Sequence, residues 1–185
     1  MNELLKLMAE RQSQPMLGEP APSPELLSQL IAVALTAPDH GAMAPSRYLV
    51  IGPERRPALG ELFVQAAQAR DPAITAEEVT RTRNMPLRAP MLVIGICHAR
   101  ENPKVPLLEQ QVSTGIGMGY LLLGLQAAGY GGMWRTGWMA SDPIIREGLG
   151  LTGDEHLMGF LYVGTVTSPK RPPQRPVVAD ALSWW

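Results

Sequence analysis

Apolar residues recur at helical spacing over residues 2–10, where Leu4, Leu5, Leu7 and Met8 fall close together on one side, so the spacing predicts a short first helix. A proline-rich connector runs from Pro15 to Pro24. Ser23 offers an N-cap and Pro24 a first-turn residue for a second helix. Its expected buried stripe is Leu26, Leu27, Leu30, Ile31, Ala34 and Leu35, and Pro38-Asp39 ends it. Residues 47–52 are short, β-branched and stopped by Pro53, which predicts a strand. From Pro57 to Arg88 the chain is amphipathic and polar, broken at Asp71-Pro72, and reads as two surface helices. Residues 90–97 are apolar on both faces and predict a central strand. Leu107 to Ala128 is a helix, apolar almost all round in its second half and therefore buried. A glycine-rich turn leads into a third strand within 129–138. Asp142-Pro143 caps a short helix ending at Gly148 or Gly150, and 157–166 is a fourth strand.

Helices and strands alternate, but the helices are long and the loops irregular, so the expected class is α+β, a three-layer domain without internal repeats. At 185 residues one core is the default. The domain spans 1–167, and 168–185 forms a proline-rich arm ending Ser183-Trp184-Trp185. Two terminal tryptophans on such an arm have little to bury against in their own chain. The arm is expected to pack on a partner subunit, with a disordered tail as the competing reading.

Composition narrows the function classes. Hydrophobic residues make up 45% and charged residues 18%, an ordinary globular balance. A net charge of -1, with Arg81, Arg83 and Arg88 too sparse for a basic tract, argues against nucleic acid. The single cysteine, Cys97, lies in an apolar run and suits a reducing, cytoplasmic setting. Charges at Glu3, Lys6, Glu10 and Arg11 leave no signal-peptide core. The longest apolar stretch, 116–128, is short of the roughly 20 residues needed to span a bilayer.

Simple catalytic signatures are missing. Gly115, Gly117 and Gly119 sit inside a helix pattern and lack the strand-and-turn context of a dinucleotide fingerprint, so close helix packing is the better reading. Cys97 and His98 alternate along a strand and point to opposite faces. His40, His98 and His156 have no companions at metal-ligand spacing, and Glu109 and Glu155 have no partner carboxylate for paired-acid catalysis. An enzyme whose bound cofactor carries the chemistry needs few protein acids or bases.

Three segments, in order, resemble the nitroreductase family, in particular its short single-domain bacterial members. They are Arg11-Gln12-Ser13 after the first helix, Ala37-Pro38-Asp39-His40 after the second, and Gly131-Gly132-Met133-Trp134-Arg135-Thr136-Gly137. Lys104-Val105-Pro106 with Glu109-Gln110, and residues 159–164, are also similar. The order and spacing hold from about residue 3 to 166. The resemblance implies a mostly antiparallel sheet flanked by helices and a homodimer holding FMN at its interface. It also implies ping-pong transfer of electrons from NAD(P)H to a nitroaromatic, quinone or similar acceptor. Carried over by position, Arg11, Gln12 and Ser13 would hold the FMN phosphate and ribityl chain. Thr36 and His40 would reach the same flavin from the partner, and Trp134, Arg135 and Thr136 would line the ring side.

Taken singly these residues have plainer readings: Arg11 as a helix-dipole partner, Ser13 as a turn residue, His40 as loop chemistry, Trp134 as core. The chain also departs from the family pattern. Gln12 stands for a second arginine, Thr36 for a frequent arginine, and Ser46 for a tryptophan after proline. Two competing functions therefore stay open, a flavin-binding or sensing module with little turnover, and a flavin-dependent dehydrogenase or oxidase of an organic substrate.

Overall fold

The computed structural model describes residues 2–185. Helices α1 (Glu3–Glu10), α2 (Pro24–Ala34), α3 (Arg56–Arg70), α4 (Ala76–Arg83), α5 (Leu107–Ala127) and α6 (Pro143–Gly148) surround strands β1 (Leu17–Gly18), β2 (Ser46–Ile51), β3 (Met91–His98), β4 (Gly131–Arg135) and β5 (Glu155–Val166). All strand pairs are antiparallel. β5 pairs with β1, β3 and β4, and β3 passes the sheet on to β2. The class is the expected α+β, with the sheet as the middle of three layers.

Period-two alternation along β3 and β5 divides the core. Leu92, Ile94 and Ile96 with Phe160 and Tyr162 face α3 and α6, where Phe63 meets Phe160 edge to face at 5.2 Å. Met91 and Val93 with Leu161 and Val163 face α2 and α5 and pack on Leu30, Met118 and Leu121. Ile94 is fully buried, a contribution of about 2–3 kcal/mol for such a side chain. Gly117 is where α5 crosses closest to α2 and β2. An added Cβ would lie 2.5 Å from the Tyr48 hydroxyl and 2.9 Å from the Ala34 carbonyl oxygen. Gly117 and Gly124 thus serve helix packing, whereas Gly119 faces open space.

Four details differ from the expectation. β1 lies inside the proline-rich connector, held by pairing with Thr165 and Val166 rather than by any local pattern. β4 stops at Arg135, because Gly137 (φ +86°) turns the chain and Trp138 opens a helical turn. β5 begins two residues early, where Glu155 pairs with His98. Leu35 is not in the buried stripe: α2 ends at Ala34, and Leu35, its C-cap, is exposed.

The register of β3 on β5 slips once. Gly95 faces Gly159 and Ile96 faces Leu157, leaving Met158 as the extra residue of a bulge. Gly159 takes φ +135°, and an added Cβ there would collide with the Trp134 ring and the Arg135 carbonyl oxygen. No helix among the described residues is long and apolar enough to cross a membrane. An open apolar groove of about 570 Å³ runs between α1, α2 and α5, lined by Leu4, Met8, Val33, Tyr120 and Leu123.

Candidate functional site

The segment after α1 lies against the start of β4. Arg11 caps α1, its N–H donating to the Met8 oxygen at 3.3 Å, and Gln14 N–H donates to the Gly132 oxygen at 3.0 Å. Between them opens a cavity of about 320 Å³ walled by Arg11, Gln12, Gln14, Gln126, Tyr130 and Gly131. Arg11 has no carboxylate within ion-pair distance among the described residues. The Gln12 amide donates to the Lys170 oxygen at 3.0 Å, while its Oε1 is buried and has no hydrogen-bond partner. Ser13 is half-buried beside this cavity but is not part of its wall.

The C-terminal arm reaches the same segment. Lys170 N–H donates to Gln14 Oε1 at 3.1 Å, and the Arg175 guanidinium donates to the main-chain oxygens of Ala9 and Arg11. These contacts bring the Lys170 main chain to Gln12 and Gln14 and the Arg175 guanidinium to the main chain of Arg11, beside the Glu10 carboxylate that also lines the cavity. Sequence reading missed this. The arm's basic residues were the available signal, but nothing local connects positions 156 or more residues apart. Beyond Arg175 the arm is exposed, with Val177, Val178, Trp184 and Trp185 open to solvent.

The three residues at the end of β4 diverge. Trp134 faces α5, its six-membered ring edge near Gly115, and its Nε1 donates to the Met158 oxygen at 3.0 Å. Arg135 faces the opposite side of the sheet, its guanidinium 5.6 Å from the centre of the Tyr162 ring, where burial pushes the Tyr162 phenol up and Arg135 pulls it partly back. Thr136 is exposed past the strand's end. The Trp134 and Arg135 side chains lie on opposite faces of the sheet, so one flat ligand cannot stack on both.

Thr36 and His40 sit on the loop after α2. The Thr36 hydroxyl donates to the Val33 oxygen at 2.8 Å. His40 Nδ1 lies 2.5 Å from Glu109 Oε2 on the first turn of α5, a contact between two largely exposed side chains. Their loop is strained. Gly41, Ala42 and Ala44 have φ of +71°, +51° and +48°, costing about 1–2 kcal/mol for each alanine. Asp39 Oδ2 holds it by accepting from Ala44 N–H at 2.7 Å. The Arg11 cavity touches Gln126, in the last turn of α5, and His40 touches Glu109 in the first. At 1.5 Å per residue these ends are about 25 Å apart. Within one chain, then, Arg11 and Gln12 form one group with the start of β4, and Thr36 and His40 form another.

Cys97 is buried, and burial pushes its thiol up; His98 on the neighbouring position is exposed. No group of three or more His, Cys, Asp or Glu among the described residues is arranged to hold a metal ion. The Arg11 cavity offers what an anionic, hydroxyl-bearing organic ligand needs: an unpaired guanidinium, a buried acceptor without a donor, and a glycine-lined strand.

Comparison with known proteins agrees in one direction. The profile of the Nitroreductase family matches residues 10–165. A protein of Escherichia coli strain K12, provisionally named NAD(P)H nitroreductase YdjA, is 37% identical over 166 residues, 88% of each chain. The structure of a nitroreductase-like family protein from Bacillus cereus superposes with a TM-score of 0.86 at 20% identity, covering 100% of this chain and 97% of that one. An FMN and NADPH-dependent nitroreductase, NfnB from sphigopyxis sp. strain HMH, gives 0.80 at 17% identity, covering 100% and 99%.

Proposed function

The chain belongs to the nitroreductase family, and from that membership we propose that it is an FMN-dependent oxidoreductase passing electrons from NAD(P)H to a small acceptor such as a nitroaromatic or quinone. The cavity at Arg11 carries the reading. Arg11 supplies a planar charged fork for a phosphate on a wall that also carries Glu10, and the Arg175 guanidinium, on the main-chain oxygens of Ala9 and Arg11, adds positive charge beside it. Gln12 Oε1, buried and unpartnered, accepts from a ribityl hydroxyl, and Ser13 stands beside it as a further donor. Trp134, Arg135 and Thr136, at the end of β4, are the residues that line the ring side in this reading. Bound there, FMN would supply two-electron transfer between nicotinamide and acceptor, which would follow one another in ping-pong order.

The active form in this reading is a homodimer. His40, about 25 Å along α5 from the Arg11 cavity, and Thr36 on the same loop meet the same flavin from the partner subunit in this reading. The apolar groove between α1, α2 and α5 supports that arrangement, since an open groove of this character marks an interaction surface.

An absorbance spectrum of the purified protein, before and after anaerobic NADPH and NADH, tests the proposal. Flavin bands that bleach with either nicotinamide are expected. A colourless protein that also fails to bind added FMN ends the proposal, and bound flavin that neither nicotinamide bleaches ends the NAD(P)H half of it.

A further inference from the structure

A second cavity of about 320 Å³ lies between the turn after β4 and the start of β5. Gln111 on α5, Gly137 and Ser141 on the turn, Arg146 on α6, and His156 and Met158 on β5 form its wall, and no carboxylate lines it. Arg146 is fixed by the main chain at the start of β5 and the turn before it: Nη2 donates to the Glu155 oxygen at 2.8 Å and to the Gly153 oxygen at 3.4 Å. Its Nε is buried without a partner, and no carboxylate among the described residues lies within ion-pair distance of it. The neighbouring Glu155 carboxylate is already taken, accepting from Arg47 Nε at 2.7 Å and from Thr152 N–H at 3.1 Å. The Gln111 amide and the His156 ring make no side-chain hydrogen bond among the described residues. A half-buried guanidinium with no counter-charge and two polar side chains with unused capacity thus converge on one space. Leu157 and Met158 give that space an apolar side.

The cavity adjoins the proposed flavin ring site. Gly137 follows Thr136 directly, and Met158, whose side borders the cavity, is the residue whose oxygen holds the Trp134 indole. We infer that this cavity binds the anionic group of a small substrate, with Arg146 as the charged contact, Gln111 and His156 as hydrogen-bond partners, and an aromatic body lying along Met158 towards Trp134. The inference rests on the flavin reading for the substrate's role, but not for its binding. A carboxylate on the acceptor and the 2′-phosphate of NADPH share this chemistry.

The test uses the protein as purified, with Arg146→Gln and Gln111→Glu variants. Calorimetric binding of 4-nitrobenzoate is measured first. Then the KM ratio of 4-nitrobenzoate to the neutral 4-nitrobenzyl alcohol is measured, together with the KM ratio of NADPH to NADH. Both variants are expected to weaken nitrobenzoate binding about tenfold and to raise the first ratio equally, as loss of a charge-assisted bond requires. A shift confined to the nucleotide ratio supports the site and assigns it to the donor's phosphate. Gln111→Glu adds a charge on an existing helix surface, so it remains informative if Arg146→Gln does not fold. Unchanged anion binding and unchanged ratios in that variant overturn the inference. A protein that lacks flavin yet binds nitrobenzoate through Arg146 loses the function proposed above and keeps this site.

Discussion

The indole Nε1 of Trp134 donates to the main-chain oxygen of Met158 across 3.0 Å, at the one residue of β5 that the bulge against β3 leaves without a register partner. Bulge, glycine and tryptophan form one device. Gly159 at φ +135° lets the strand recover after the bulge and leaves room for the ring that caps the freed carbonyl. Gly159→Ala would force both a left-handed alanine and a collision with Trp134. It should cost about 3 kcal/mol or more in urea unfolding at neutral pH. Trp134→Phe, which removes only the donor and some volume, should cost about 1–2 kcal/mol. Equal, small losses in the two variants would mean that the bulge is not set by this contact.

Tyr48 makes the opposite case. Its hydroxyl is buried against Gly117 without a hydrogen bond of good geometry, and burial pushes the phenol up to about 12 although the nearby Ser46 side chain pulls it partly back. Tyr48→Phe should therefore stabilise the protein by about 1 kcal/mol, the cost of an unpaired buried hydroxyl. Gly117→Ala should destabilise it by about 1–3 kcal/mol despite alanine's better helix propensity. Thermal denaturation of the pair decides the matter: a destabilised Tyr48→Phe would show that the hydroxyl has a partner in solution.

These two sites also show what the sequence can and cannot carry. The buried run of β3, the long helix α5 and the capped starts of α2 and α6 follow from local pattern, because periodicity and N-caps are encoded within a few residues. The two-residue β1 and the Met158 bulge depend on what another strand does across the sheet, and no local composition signals them. At the candidate site, Arg11 and Gln12 were legible through ordered resemblance. The approach of Lys170 to Gln14 was not, because it joins the two ends of the chain through main-chain atoms that carry no sequence signature. Trp134 and Arg135 were legible as neighbours, yet strand alternation sends their side chains to opposite faces.

Acid should reveal Glu155. Its carboxylate is buried between Arg47 and Thr152, with His98 Nδ1 at 3.6 Å, and the Arg47 hydrogen bond holds it below the ordinary 4.5 although burial opposes this. Because the folded value is the lower one, the stabilisation is complete above about pH 4.5 and is lost as pH falls through the folded value. Glu155→Gln should cost about 2 kcal/mol at neutral pH. The gap in melting temperature between wild type and variant should stay flat above pH 5 and narrow below about 4.5. A gap that instead widens in acid would place the carboxylate in a different environment.

The arm joins stability to the proposed cofactor. Lys170 bonds Gln12 and Gln14 through its main chain, and Arg175 bonds the main-chain oxygen of Arg11, so residues 168–185 brace the segment that walls the Arg11 cavity. Their exposed apolar end, Val177 to Trp185, has no cover within the chain and suits a partner surface. Deleting 168–185 should therefore do two separable things: loosen the proposed dimer in sedimentation analysis, and lower the FMN content of the purified protein. Arg11→Ala should lower FMN content without changing the oligomeric state, through the loss of one charge-assisted bond worth about 2 kcal/mol. Stopping the chain after Arg175 separates the causes, since it keeps the brace and removes the apolar end. That protein should hold its flavin and lose dimer stability. If it instead dimerises as the full chain does, the apolar end is not part of the interface.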